Sequence, residues 1–210
     1  MSHGAYKEAH PFPARVTHWI HLVCMVVLAF TGFFIHFPFS TASMELMRSL
    51  HFVCMWLVLI NLVIRFVLVF TLRDANVKGT REVAPDWINW IPQPENKGKF
   101  LRTIGYYLFV VKKHPRTGKY NPLQKLAYVA MQVFLVLQGI TGFAIYGPTD
   151  QVFAGLTDAV GGLMVMRMAH YFIMWVFILI TMIHVYLSCA EDVEALPLMF
   201  LGKETPAPEH

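Results

Sequence analysis

Apolar residues in this chain fall into four long runs rather than into the two-residue alternation of half-buried strands. The runs lie near residues 17–36 (THWIHLVCMVVLAFTGFFIH), 50–71 (LHFVCMWLVLINLVIRFVLVFT), 126–146 (LAYVAMQVFLVLQGITGFAIY) and 169–189 (AHYFIMWVFILITMIHVYLSC). Each has about the 20 residues that a helix needs to cross a bilayer. Only helices and closed barrels satisfy every backbone polar group in lipid, and barrel alternation is missing here. The pattern predicts an all-α membrane protein, a four-transmembrane-helix bundle. It forms one integral-membrane domain over residues 1–210, with a long loop at 72–125.

Composition agrees with that pattern. Hydrophobic residues make up 56% of the chain and charged residues 14%, against about a quarter charged in soluble domains. Most Lys and Arg residues fall between Arg65 and Lys125, whereas connection 37–49 has only Arg48 and connection 147–168 only Arg167. The positive-inside rule puts the middle loop in the cytoplasm, and four spans then put both termini there. The expected location is a bacterial or archaeal cytoplasmic (inner) membrane, in contact with lipid. MSHGAYKEAHPFPAR lacks a signal-peptide pattern, so the first run is expected to be retained as a span. No basic run carries a base-reading motif, and nucleic acid is not an expected partner. Cys24, Cys54 and Cys189 lie in apolar runs without a C-x-x-C pair, which suits packing rather than metal or covalent haem attachment.

The middle loop carries DWINWIPQP, whose tryptophans suit an interface, and GKFLRTIGYYLFVVKK, whose helical spacing suits the inner membrane surface. A repeat runs through the spans. TGFFIHFP (31–38) resembles TGFAIYGP (141–148), and HFVCMW (51–56) resembles HYFIMW (170–175). The chain reads as two related helical hairpins.

Ionisable groups within spans mark function by default. By the orientation above, His18 and His184 lie at the inner ends of spans one and four, and His51 and His170 at the outer ends of spans two and four. The two histidines of span four are fourteen residues apart. That separation is about 21 Å of helix, nearly four turns, so both lie on one face. Two imidazoles at one depth on different helices are the axial pair of a b-type haem. The pattern therefore predicts two haems, an outer one on His51 and His170 and an inner one on His18 and His184. Gly32 and Gly142 stand where a macrocycle needs room, and close helix packing would also use them. Arg15, one turn before His18, and Arg65, near the inner end of span two, suit haem propionates, although arginines at an interface also snorkel to water. His21 rivals His18 as inner ligand, and spacing alone does not separate them. His36 rivals the outer pair. His3, His10, His114 and His210 lie in tails or the loop.

Zinc would want three or four ligands at one point, and each layer offers mainly histidines. A histidine-lined transporter would want further polar groups at midplane. Those present, such as Asn61 and Gln132, read as interhelical glue. A haemless anchor is the remaining alternative.

PARVTHWIH, SLHFVCMW, GKYNPLQKLAY, LQGITGFAIY and MAHYFIMW with MIHVYLSCAEDV together resemble the di-haem cytochrome b subunits of respiratory membrane-bound NiFe hydrogenases and the related gamma subunits of respiratory formate dehydrogenases. The likeness runs over most of residues 11–195. NPLQKLAY, TGFAIY and AEDV look more like the hydrogenase cytochromes, and GKYN more like the formate dehydrogenase subunit; hydrogenase is favoured. In span one the family's arginine and His-Trp pair fall on Arg15, His18 and Trp19, which favours His18 over His21. The resemblance implies haem ligation by the four histidines. It also implies a menaquinone or ubiquinone pocket on the inner side, at positions Asn121 and Gln124, with Lys119 and Tyr120 as weaker candidates. Asn121 before a proline also suits helix entry. The implied partners are an Fe–S electron-transfer subunit, the catalytic subunit and a single-span partner helix. The implied role is an electron conduit from a periplasmic enzyme to quinone, with no dehydrogenase chemistry of this chain's own.

Overall fold

A computed structural model describes residues 11–75, 83–91, 94–113, 121–191 and 195–202. In chain order the elements are α1 (Phe12–His36), α2 (Met44–Thr71), β1 (Arg73–Ala75), β2 (Val83–Pro85), α3 (Trp87–Trp90), α4 (Phe100–Tyr107), α5 (Pro122–Ile145), α6 (Ala154–Ala159), α7 (Leu163–Glu191) and α8 (Ala195–Leu201). Among the described residues α1, α2, α5 and α7 are the four helices long and apolar enough to cross a membrane.

Each long helix starts before the apolar run read from the sequence, and at α2 and α5 polar side chains cap that earlier start. Ser43 Oγ accepts from the Leu46 backbone N–H at 3.3 Å and caps α2. At α5 the Asn121 side chain accepts from Gln124 N at 2.8 Å, and the Gln124 side chain accepts from Asn121 N at 2.9 Å. That reciprocal arrangement is a capping box, with Pro122 at the first helical position. Gly161 and Gly162, at φ 107° and 96°, separate α6 from α7; backbone so far into positive φ is open to glycine at little cost.

The spans are helical as expected. The connection after α2 departs from the all-helical reading by a small antiparallel sheet in which Arg73 pairs with Pro85 and Ala75 with Val83. The expected amphipathic helix is shorter than its sequence pattern. It ends at Tyr107, and the chain turns at Phe109 (φ 60°), leaving Leu108, Phe109 and Val110 exposed. Connection 147–168 carries a short helix, α6.

The contacts divide the chain into two units. One comprises residues 1–19, 61–127 and 184–210, the other residues 20–60 and 128–183. Each takes a piece of all four long helices. In the second unit Phe34, Val58 and Met166 are almost fully buried; in the first, Leu187 and Asn121 are. Outward-facing Val26, Phe66, Phe172 and Met182 are more than half exposed. Such helices are apolar all round because lipid outside them is as apolar as their packed side.

Candidate functional site

In the unit of residues 20–60 and 128–183, two helices present the same pair of residues, threonine then glycine. Thr31 Oγ1 on α1 lies 2.7 Å from the Val27 carbonyl of its own helix and 2.9 Å from His51 Nδ1 on α2. Thr141 Oγ1 on α5 lies 2.9 Å from the Leu137 carbonyl and 2.9 Å from His170 Nδ1 on α7. A hydroxyl has one proton and a carbonyl can only accept. Each threonine therefore donates to its helix and accepts from the ring, so Nδ1 carries the imidazole proton. Nε2 is left with its lone pair, the form in which histidine binds a metal. The Gln138 amide nitrogen lies 3.1 Å from His170 Nε2 and donates to that lone pair.

The glycines face the same rings. A methyl group on Gly142 would stand 3.3 Å from His170 Cε1, and one on Gly32 would stand 3.6 Å from His51 Cε1 and 3.5 Å from Met174 Sδ. His51 and His170 lie close enough to interact electrostatically. His36 is exposed and stacks on Tyr171, ring centroids 3.8 Å apart.

In the other unit His18 and His184 also lie close enough to interact, and His18 feels the Arg65 guanidinium. Here the polar atoms are not all matched. His18 Nδ1 and one terminal nitrogen of Arg65 are buried without a hydrogen-bond partner. Arg65 stands 3.9 Å from the Asp86 carboxylate. Asn61, 4% exposed, donates from Nδ2 to the Thr17 carbonyl at 2.8 Å and ties α2 to α1 one residue before His18. Arg15 and Trp19 both donate to the Met199 carbonyl, at 3.3 and 3.1 Å. They satisfy an orphan acceptor at the end of α8. Gly202, at φ 66°, closes that helix against the Arg15 guanidinium, where a side chain would collide. Asn121, besides capping α5, donates from Nδ2 to the Tyr107 hydroxyl at 3.1 Å.

A family profile described as prokaryotic cytochrome b561 matches residues 9–202. The chain belongs to the prokaryotic cytochrome b561 family. It is 29% identical over 216 residues to a protein of Escherichia coli K12 called probable Ni/Fe-hydrogenase 1 B-type cytochrome subunit, covering 92% of this chain and 85% of that one. It is 26% identical over 203 residues to a probable Ni/Fe-hydrogenase B-type cytochrome subunit of Rhizobium leguminosarum bv. viciae, covering 86% and 80%. The protein so named in Cupriavidus necator is 26% identical over 202 residues, covering 86% and 78%. This cytochrome b561 is a multi-pass membrane protein with an electron-transfer role, and its family implies a b-type haem.

The residues present fit such a group. Imidazoles pair across helices, glycines flank two of them, and a buried, unpartnered nitrogen of Arg65 could take a propionate. Among the described residues no three His, Cys, Asp or Glu side chains gather at one point.

The expected residues are distributed as follows. His51 and His170 come together in one unit, and His18, His184 and Arg65 in the other. Arg15 turns to α8, while Asn121 and Gln124 engage each other at the start of α5. His21 follows His18 by three residues on α1, just past the point where that helix passes from one unit to the other. Cys24 and Cys54 are buried, whereas Cys189 is exposed, contrary to a packing role. Lys119, Tyr120, His3, His10, His114 and His210 lie outside the described residues. Sequence reading missed Thr31, Thr141 and Gln138. The signal was present, since each TGF repeat opens on the threonine, but only its glycine drew notice.

Proposed function

We propose that this cytochrome b561 is the membrane anchor and electron-transfer subunit of a NiFe hydrogenase, carrying two b-type haems and reducing menaquinone or ubiquinone on the cytoplasmic side. The observation that carries the reading is the pairing of His51 with His170 and of His18 with His184, one partner of each pair coming from the continuous helix α7. His51 and His170 would hold the outer haem and His18 and His184 the inner one. When bound, these groups supply one-electron carriers at two depths of the membrane. The chain supplies ligands, spacing and an apolar surround. Arg65 would balance an inner propionate with its unmatched nitrogen, and Arg15 would join it on leaving Met199. The quinone would sit beside the start of α5, against Asn121, Gln124 and Tyr107.

The hydrogenase partner is supported by the names of the relatives and by NPLQKLAY and TGFAIY in this chain. Its Fe–S subunit would dock on the outer connections 37–49 and 147–168. The basic middle loop supports an orientation with both termini cytoplasmic.

Purified protein should give a reducible b-type absorption band and two haems per chain. No band, or one haem per chain, overturns the two-haem reading. Membranes containing the partner should reduce that band with hydrogen; reduction by formate alone would move the chain to a formate dehydrogenase.

A further inference from the structure

We propose that Thr31 and Thr141 are positioning residues that hold the outer haem at a lower midpoint potential than the inner one. The proposal rests on the two-haem reading above.

Both hydroxyls spend their proton on their own helix, over 2.7 Å at Thr31 and 2.9 Å at Thr141, and so stand before the imidazoles as pure acceptors. Each takes the Nδ1 proton at 2.9 Å. An imidazole that donates from Nδ1 is a more basic ligand through Nε2. A more basic ligand favours the more highly charged ferric iron, which lowers the midpoint potential. The Nδ1–H bond also fixes the ring about its Cβ–Cγ axis, aiming Nε2 at one point. Thr31 is 1% exposed and Thr141 is 9% exposed. With water excluded, little competes with the ring for the hydroxyl.

The inner layer differs on this point. His18 Nδ1 is buried with no hydrogen-bond partner, so its ring gains no such basicity, and the charge it feels is that of Arg65. A neighbouring cation disfavours ferric iron and raises the potential. The two layers then differ in the direction that moves an electron inward. With both groups bound, one electron would pass from the outer haem to the inner one, the Nδ1 protons staying on their rings and no further reactant being needed.

The experiment is a potentiometric titration of the purified holoprotein, with low-temperature electron paramagnetic resonance to follow each ferric haem. Thr141→Val and Thr31→Val keep the side-chain volume and remove the hydroxyl acceptor, leaving the rings only the backbone of Gln138 and Leu28. Each should raise the lower potential, by about a fivefold change in its reduction equilibrium, and leave the higher one in place. Thr141→Ser and Thr31→Ser should restore the wild-type value. If a valine variant loses the outer haem while its serine counterpart keeps it, the hydroxyl is still the positioning group. Unchanged potentials in both valine variants, a shift in the higher potential instead, or equal haem loss in the valine and serine variants would overturn the proposal. Wild-type protein with fewer than two haems would defeat the two-haem reading itself, before any variant is compared.

Discussion

His51 and His170 occupy equivalent places in two related hairpins, whereas His18 and His184 do not. In the first hairpin Thr31 on α1 meets His51 on α2 across 20 residues; in the second Thr141 on α5 meets His170 on α7 across 29. The longer second connection contains α6. At the same distance before its threonine the first hairpin has His18 and the second Tyr128. At the same distance after its histidine the first has Arg65 and the second His184. The pair of His51 and His170 thus repeats one half-site twice. The inner layer takes its histidines from positions that do not correspond, and leaves an arginine and a tyrosine at the places a strict repeat would fill with histidine. The repeated TGF and H-x-x-x-M-W segments give the rings of His51 and His170 the same threonine bond and the same glycine neighbour. Departure from that repeat gives the inner layer a cation beside His18.

The sharpest break in this comparison is removal of a ligand. His170→Ala should leave one haem per chain, of the higher potential, and His184→Ala one of the lower; haem counts with redox titration check both. If either variant kept two haems, the pairing would be wrong. Next come the glycines, which test whether the repeated half-sites are equally tight. Gly142→Ala puts a methyl 3.3 Å from His170, while Gly32→Ala meets only ordinary contacts at 3.5 and 3.6 Å. The first should cost about 1 kcal/mol or more of haem affinity and the second little, measured as haem retention on dilution. Equal losses would mean that the two half-sites are closer in shape than the structure has them.

Asn61→Leu breaks a bond found only in the His18 unit. Its loss should cost about 1 kcal/mol, lowering the thermal midpoint by a few degrees with the outer haem's spectrum unchanged. A change in the outer spectrum would deny the two layers their independence. The smallest effect separates two arginines. Arg65→Gln should shift the inner potential, and Arg15→Gln should speed amide exchange in residues 195–202 by leaving Trp19 alone to donate to the Met199 carbonyl. A potential shift from Arg15→Gln as large as that from Arg65→Gln would assign it a direct place beside the inner haem.

Much of this was legible before any coordinates. Each apolar run became a helix because lipid leaves few other ways to satisfy a backbone. The histidine pairs followed from counting residues along those helices. Other features stayed hidden for identifiable reasons. Ser43, Asn121 and Gln124 begin helices earlier than the apolar pattern does, since capping uses polar residues that hydropathy reads as loop. Asn121 and Gln124 were read through resemblance as quinone contacts, and the structure commits their carbonyl oxygens to the α5 cap. Arg15 bonds to Met199, far off in sequence, because the end of α8 presents an unmatched carbonyl. The strand pair after α2 is too short to carry a pattern.

The sequence by itself determined how many helices are long and apolar enough to cross a membrane and how far apart along each helix its histidines lie. Helical rise per residue is constant, so that separation is a matter of counting. Only the tertiary structure decided how each helix is rotated about its axis and which side chains meet across the gap. It thereby decided that threonine hydroxyls hold the Nδ1 protons of His51 and His170 while His18 Nδ1 has no partner. Rotation is set by packing against neighbouring helices, and in spans that are apolar on every side the sequence pattern carries little record of it.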